Sequence, residues 1–557
     1  QGYVQMVKTG NYQQALNIIM ERIPLPGTLG RVCPHPCENE CRRAEVDSPI
    51  AIRDLKRFAA DHADLAKVPI PEVQEKDKKV AVIGSGPAGL TVAYYLRQKG
   101  FQITIFEQME KPGGMLRSGI PDYRLPPAIL DQEIDHILST GIDLKTGVEF
   151  GRNLTLSDLN AEGYGAIFLG IGTHKPISMG IDNEEADGVI DAVPFLRNIN
   201  FERTNDTRKR VAVIGGGNVA MDAARVALRS GADEVTVVYR RTENEMPADH
   251  EEIVGAKEEG VKFINLVSPK QVMVENGHVV GIEVIKNELG PPDDSGRRRP
   301  VPIENSDYVI NCDMIIPAIG QRAETANLLK ETDFALTKWG TFNVNPITME
   351  TSVNGVFSAG DAVTGPATVV EAIAAGHKAV KAIERYLNDE MEKFIEEQKE
   401  KPIEDKRDFA RVPKDAQPVK RVESTFLEPS VRRKNFEEVD CSFDEESAQK
   451  EAEKCINCGG CCECKLCVEQ CQAKAIDHEM PDKIQQVEVG SVIVATGFDP
   501  LDPTPMKQYG YGKYTNVLTN LEFERISNAT GPTSGKLLKR DLNDPLKYTD
   551  PPKSVAI

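Results

Sequence analysis

The chain has 557 residues, 40% of them hydrophobic and 27% charged, ordinary proportions for a globular protein. Its 67 basic and 86 acidic residues leave a net charge of −19, which argues against nucleic acid or an anionic membrane as main partner, since both repel such a surface. No run of 18 apolar residues appears, so no membrane span is read, and at roughly 150 residues per domain the length suggests three or four domains.

The chain opens on Gln1 and ends on "PPKSVAI", within what reads as a new strand, so the expectation is a piece of a longer polypeptide. Residues 1–30 read as helix. A cysteine-bearing loop, "RVCPHPCENECRR", and an amphipathic helix over 48–63 follow. "KVPIPEVQEKD" is a Pro- and charge-rich linker. At 79 the texture changes to "KVAVIGSGPAGLTVAYYLRQKGFQITIFEQ", a buried strand, a glycine turn, a helix and a second strand. The same texture returns at 210 as "RVAVIGGGNVAMDAARVALRSGADEVTVVYRR". This echo predicts an α/β fold with two dinucleotide-binding units, the second inserted inside the first. The boundaries read as 1–70 for a helical cysteine-bearing domain, 71–205 and 336–388 for the outer unit, and 206–335 for the inner one. Beyond them lie a charged linker (389–450), a cysteine-rich segment (451–485) and a strand-and-loop region (486–557).

In the outer unit a strand leads into Gly84-Ser85-Gly86-Pro87-Ala88-Gly89, then a helix, then a strand ending at Glu107. Gly84 permits the tight turn, Gly86 lets backbone approach a pyrophosphate, and Gly89 allows close helix–strand packing. The helix N-terminus then faces the phosphates, and Glu107 is placed to accept hydrogen bonds from an adenosine ribose. The inner unit has Gly215, Gly217 and, after Asn218 and Val219, Ala220 in the same roles. Where the outer unit has Glu107, the inner one has Arg240 and Arg241. Guanidinium groups bind a 2′-phosphate that a carboxylate would repel, so this unit is expected to take NADPH over NADH.

Twelve cysteines are too few for a disulfide scaffold, and ten of them cluster, at 33–41 and 455–471. Clustering at these intervals favours metal ligation in a reducing compartment, and the cytoplasm is the expected home. Cys461, Cys464, Cys467 and Cys471 spell C-x2-C-x2-C-x3-C, the ferredoxin spacing for a [4Fe–4S] cluster. Cys455 and Cys458 begin an overlapping ligand set, with Cys462 or Cys441 open as further members. Cys312 reads as a small buried hydrophobe.

"GRVCPHPCENEC", "IGSGPAGL", "GGMLRSGIPDYRLP", "IGGGNVAMDAAR", "VVYRRTENEMPA", "PAIGQ" and "GVFSAGDAVTGPATVVEAIAAG" together resemble the small subunit of NADPH-dependent glutamate synthase and its relatives over about residues 1–388. The resemblance implies a flavoprotein with an N-terminal [4Fe–4S] domain, in which a hydride passes from NADPH to FAD and electrons leave singly through clusters. It places Gly360-Asp361 and the helix from about Thr368 at the flavin ribityl and pyrophosphate, so FAD belongs to the outer unit. It also runs the stretch bearing Gly114, Met115 and Arg124 alongside the flavin ring, and makes Cys33, Cys37 and Cys41 cluster ligands. Leu29 stands where several relatives carry Cys, and Lys56 where some carry Gln or Glu, so the fourth ligand is upstream or absent. After the cysteine segment, "ATGF", "YGYG" and "LEFERI" look like the flavoprotein subunit of heterodisulfide reductase. That implies redox partners of a heterodisulfide reductase-like kind, in complexes some of which bifurcate electrons; a ferredoxin or a synthase large subunit is the alternative.

Overall fold

Three short helices open the chain, α1 (Gly2–Lys8), α2 (Tyr12–Met20) and α3 (Pro26–Val32), and a fourth, α4 (Ile52–Asp61), packs across them. The computed structural model describes residues 1–202, 207–293, 296–330, 332–399, 416–457, 490–491, 497, 501–542 and 547–556, in two units, Gln1–Ile476 and Asp477–Ile557. Asn11 caps α2 by accepting from the Gln14 amide at 3.2 Å, and Pro26 starts α3 where its missing N–H costs nothing. Val4, Val7, Ile19, Leu55 and Phe58 bury the apolar faces of these helices in one cluster. Helices α3 and α4 touch at Gly30, where an added Cβ would lie 2.6 Å from the Arg57 Cα.

The first part of the outer unit is β1 (Lys79–Ile83), α5 (Pro87–Arg97), β2 (Gln102–Glu107), α6 (Pro127–Ser139), β3 (Asp143–Thr146) and β4 (Tyr164–Leu169). The inner unit follows with β5 (Arg210–Ile214), α7 (Asn218–Arg229), β6 (Glu234–Tyr239), α8 (His250–Glu258) and β7 (Lys262–Asn265). It continues through β8 (Val267–Glu275), β9 (His278–Pro292), β10 (Arg298–Pro302), β11 (Tyr308–Asn311) and β12 (Met314–Pro317). The chain then returns to the outer unit as β13 (Val356–Ser358) and α9 (Val369–Leu387). Two separate parallel sheets result, in the orders β13-β4-β1-β2-β3 and β12-β5-β6-β7. Their central strands are apolar, as sheets covered on both faces require: Val80 to Ile83 and Val211 to Ile214 are all buried. Strands β8 to β11 form an antiparallel sheet on the inner unit.

Residues 416–450 differ from the linker that their charge suggests, and pack together with the start of the cysteine-rich segment. Phe443, Ala448 and Ala452, on or beside α10 (Glu445–Glu453), enter the core of the N-terminal helices. The charges around them are paired rather than solvated: Glu438 meets Arg31 at 2.7 Å, and Glu451 accepts from the Ala51 amide at 3.0 Å. In the second unit, helix α11 (Asn520–Ser527) is closed at its start by a reciprocal pair of hydrogen bonds between Thr519 and Glu522. Among the described residues no helix is long and apolar enough to cross a membrane.

Candidate active site

The strand–turn–helix of the outer unit makes a cradle lined by Gly84, Ser85, Gly86, Pro87, Ala88 and Glu107. Gly84 sits at φ +96°, and a Cβ there would lie 2.5 Å from the Gly170 carbonyl oxygen. A Cβ at Gly89 would lie 2.0 Å from the Gly84 oxygen, so this position admits only glycine. Gly86 is different. A Cβ there meets nothing within 4 Å, so it projects into the cradle's own open space. That is what a bound pyrophosphate needs from a glycine turn, and the cradle fits FAD on this ground.

Glu107 is buried and accepts three hydrogen bonds: from the Ser85 amide (2.9 Å), the Ser85 hydroxyl (2.5 Å) and the Met109 amide (2.8 Å). The Ser85 hydroxyl in turn accepts from the Gly113 amide at 3.0 Å, pinning the Gly113-Gly114 loop over the glycine turn. Gly114 and Met115 line the same cradle, as do Asp361 and Thr368 from the far end of the chain. Gly360, at φ +70°, turns the backbone so that Asp361 faces inward; burial pushes its carboxyl up to about 6. Thr368 and Glu371 close the first turn of α9 reciprocally, aiming the positive end of a 19-residue helix at the cradle. Sequence reading missed His174, which lines the cradle from the loop after β4 and whose imidazole burial holds below its usual pKa. A strand end after the fourth strand, "IGTH", was the available signal.

In the inner unit a Cβ at Gly215 (φ +148°) would lie 2.4 Å from the Ala318 oxygen, whereas at Gly217 the nearest atom is 4.0 Å away. Asn218 starts α7 and accepts from the Asp249 amide at 2.8 Å; Val219 is partly buried and Ala220 fully so. The two arginines part company. Arg241 is buried, bonded to the Asp293 carboxylate and the Arg298 carbonyl, both at 2.6 Å. Arg240 is the exposed one, and partial desolvation of its guanidinium, with the charges of Arg241 and Arg297, lowers its pKa. Arg297, on the β9–β10 hairpin, is a residue that sequence reading did not find.

Arg124 is not aimed into the cradle by its own contacts. Its guanidinium pairs with Asp222 of α7 at 2.8 Å and with Glu252 of α8 at 2.9 Å, tying the outer unit to the inner one. The adjoining Tyr123 ring is fully buried beneath the guanidinium groups of Arg225 and Arg229.

Cys33 closes α3, buried against Leu29 and Ile373, with Val369 packed on the same cluster. Val369 also lines the flavin cradle. Cys37 is exposed and Cys41 half-buried; Cys455 is half-buried against the core that Cys41 also touches. Among the described residues no three His, Cys, Asp or Glu side chains converge on a single metal ion. A four-iron cube takes each thiolate on a separate iron, so the N-terminal cysteines are not asked to converge in that way. Cys458, Cys461, Cys464, Cys467 and Cys471 lie outside the described residues. Cys312 is buried among Val279, Ile282 and Ile315, with its thiol pushed up to about 12 by burial; Cys441 is exposed.

Residues 78–376 match the family described as pyridine nucleotide-disulphide oxidoreductase, and residues 1–68 match dihydropyrimidine dehydrogenase domain II, 4Fe-4S cluster. The chain belongs to the pyridine nucleotide-disulphide oxidoreductase family. It is 41% identical over 492 residues to the NADP(+)-dependent formate dehydrogenase subunit beta of Moorella thermoacetica, covering 82% of this chain and 68% of that one. To the NADPH-Fe(3+) oxidoreductase subunit beta of Geobacter sulfurreducens it is 38% identical, covering 82% and 73%. To the glutamate synthase [NADPH] small chain of Escherichia coli it is 35% identical, covering 69% and 85%. The protein is an oxidoreductase of the two-dinucleotide-binding α/β flavoprotein fold with an iron–sulfur domain, and its cofactors are FAD, NADP(H) and [4Fe–4S] clusters.

Proposed function

We propose that this chain oxidises NADPH and delivers the electrons singly, through its N-terminal cysteines, to a partner redox subunit. The observation that carries this reading is the position of Val369, which lines the flavin cradle on one side and packs against the Cys33 cluster on the other. The inner unit holds the nicotinamide nucleotide: Gly217 leaves room for its pyrophosphate, and Arg240 with Arg297 holds the 2′-phosphate. In the outer unit Gly86 and the start of α5 take the FAD pyrophosphate, Glu107 the adenosine ribose, and Asp361 the ribityl side. Bound there, FAD supplies hydride acceptance and single-electron release. The start of α9 favours negative charge near its first turn. Cys33, Cys37 and Cys41 are the ligands proposed for the N-terminal cluster, and Cys455 with the cysteines to 471 those for the clusters beyond.

The partner is proposed as another subunit of a multi-subunit redox complex in the cytoplasm. The likeness to two beta subunits runs over 82% of the chain, past the region shared with the glutamate synthase small chain, and supports a dedicated complex over that synthase. The "ATGF", "YGYG" and "LEFERI" stretches favour a heterodisulfide reductase-like, electron-bifurcating set as a second reading of the partner. Anaerobically purified chain mixed with NADPH tests the core of this: flavin absorbance near 450 nm is expected to bleach within seconds, and a cluster signal to follow. Flavin that stays oxidised defeats the reading. Subunits that co-purify decide between the partners.

A further inference from the structure

The buried cations of the N-terminal domain are paired, with one exception. Arg31 meets Asp61 at 2.9 Å, Arg43 meets Asp47 at 2.5 Å, Arg53 meets Glu251 at 2.8 Å, and Arg57 meets Asp440 at 3.0 Å. Even Lys454 has Glu451 at 3.5 Å. Lys56 is as buried as these, at 6% exposure, yet among the described residues its ammonium makes no hydrogen bond and no ion pair. The nearest carboxylate in charge terms, Glu38, is committed elsewhere, to the Arg53 amide at 3.0 Å and Arg421 at 2.7 Å. The partners its charge acts on first are the thiols of Cys33 and Cys37. Helix α4 brings it there, because α4 crosses α3 at Gly30, one turn before Cys33.

An ammonium largely withdrawn from water without a counter-ion opposes folding, so an anion is expected beside Lys56. A cluster held by cysteine thiolates is such an anion, and its potential follows the charge and hydrogen bonding around it. We propose that Lys56 is the counter-charge of the N-terminal iron–sulfur centre, a positioning residue that makes the centre easier to reduce. One electron leaves reduced flavin and one is taken up by the centre, which gains one negative charge. The fixed cation favours the reduced state and exchanges no proton in the step.

This rests on the assignment of the N-terminal cluster to Cys33, Cys37 and Cys41. The test uses the full chain purified without oxygen, with cluster midpoints read by EPR-monitored redox titration and iron and sulfide counted. In Lys56→Met one cluster is expected to move to a more negative midpoint, and the fraction reduced by excess NADPH to fall by half or more. Lys56→Arg is expected to restore both. An unmoved midpoint in a Met variant that keeps its iron overturns the role of Lys56 alone. Absence of any such cluster signal from the unaltered chain overturns the assignment beneath it. If Lys56→Met sheds iron, Lys56→Gln decides, a lowered midpoint supporting the proposal and an unaltered one overturning it. Loss of iron from both neutral variants with retention in Lys56→Arg also supports a required charge, and loss from the Arg variant as well overturns it.

Discussion

Arg241 reaches across 52 positions of sequence to bond the carboxylate of Asp293 at 2.6 Å, which leaves its neighbour Arg240 as the exposed member of the pair. The two substitutions therefore have different outcomes. Arg240→Ala removes the charge-assisted hydrogen bond proposed to the 2′-phosphate, worth about 1.5–3 kcal/mol, so kcat/KM for NADPH is expected to fall about 10- to 100-fold with NADH little changed. Arg297→Ala is expected to act in the same direction. Arg241→Ala strands Asp293 and the Arg298 carbonyl, and its first effect is a lower melting temperature. Steady-state kinetics with both nucleotides, beside thermal unfolding, separate the two. An unmoved NADPH:NADH ratio in the Arg240 variant removes the phosphate clamp.

The glycines of each turn divide into those that serve the fold and those that serve the ligand. Gly86→Ala adds a Cβ with nothing within 4 Å, so the variant is expected to fold and to lose flavin. Gly89→Ala places that atom 2.0 Å from the Gly84 oxygen, and the fold itself gives way. In the inner unit Gly217→Ala is expected to fold and keep flavin while KM for NADPH rises, whereas Gly215→Ala destabilises. Flavin content per folded chain and circular dichroism read both pairs.

Glycine turns were legible from sequence because their requirement is local: a positive φ at Gly84 or open space at Gly86 is written in a few residues around one strand end. Both dinucleotide units and the inner one's insertion followed from the same local texture. Partnership across the chain was not legible. Two adjacent arginines look alike until Asp293 arrives from a hairpin, and Arg124 looks like a cofactor contact until Asp222 and Glu252 claim it. The charges of residues 416–450 read as a linker because their partners, Arg31 and Arg57, lie some 400 positions earlier.

Glu133 of α6 accepts from the Gly27 amide, and from the amide and hydroxyl of Thr28 at 3.1 and 2.6 Å, joining the outer unit to the start of α3. Burial pushes its carboxyl up to about 7 despite these donors. The folded pKa lies above the unfolded one, so the native state binds the extra proton. Stability is then full below about pH 4.5 and declines as pH rises towards 7, by about 3 kcal/mol at most. Glu133→Gln keeps the shape without the charge and is expected to flatten this slope. Denaturant midpoints at pH 5 and pH 8 measure it, and a slope that persists in the Gln variant assigns the effect to another group.

The Arg124–Asp222 pair is the sharpest test of how the two nucleotide units are held together. Asp222 is buried and Arg124 half-buried, 2.8 Å apart, with Glu252 completing the contact to Arg124 at 2.9 Å. Burial, with the nearby charge of Glu252, pushes the Asp222 carboxyl up to about 6 even beside Arg124, so its charge depends on that guanidinium. Arg124→Met leaves Asp222 as a buried charge without that partner and is expected to cost about 3–5 kcal/mol, whereas Asp222→Asn leaves Arg124 its Glu252 partner and is expected to cost less. Replacing both removes both charges and is expected to cost less than the sum, a coupling of about 0.5–3 kcal/mol in a double-mutant cycle. The same variants bear on function, because a loosened joint lets the nicotinamide-binding unit drift from the flavin-binding one, and misplacement of about 1 Å lowers rates by about 100-fold. Flavin reduction by NADPH is therefore expected to slow in the single variants with flavin still bound. Additive losses of stability, or an unaltered reduction rate, show that Arg124 serves some other contact than this joint.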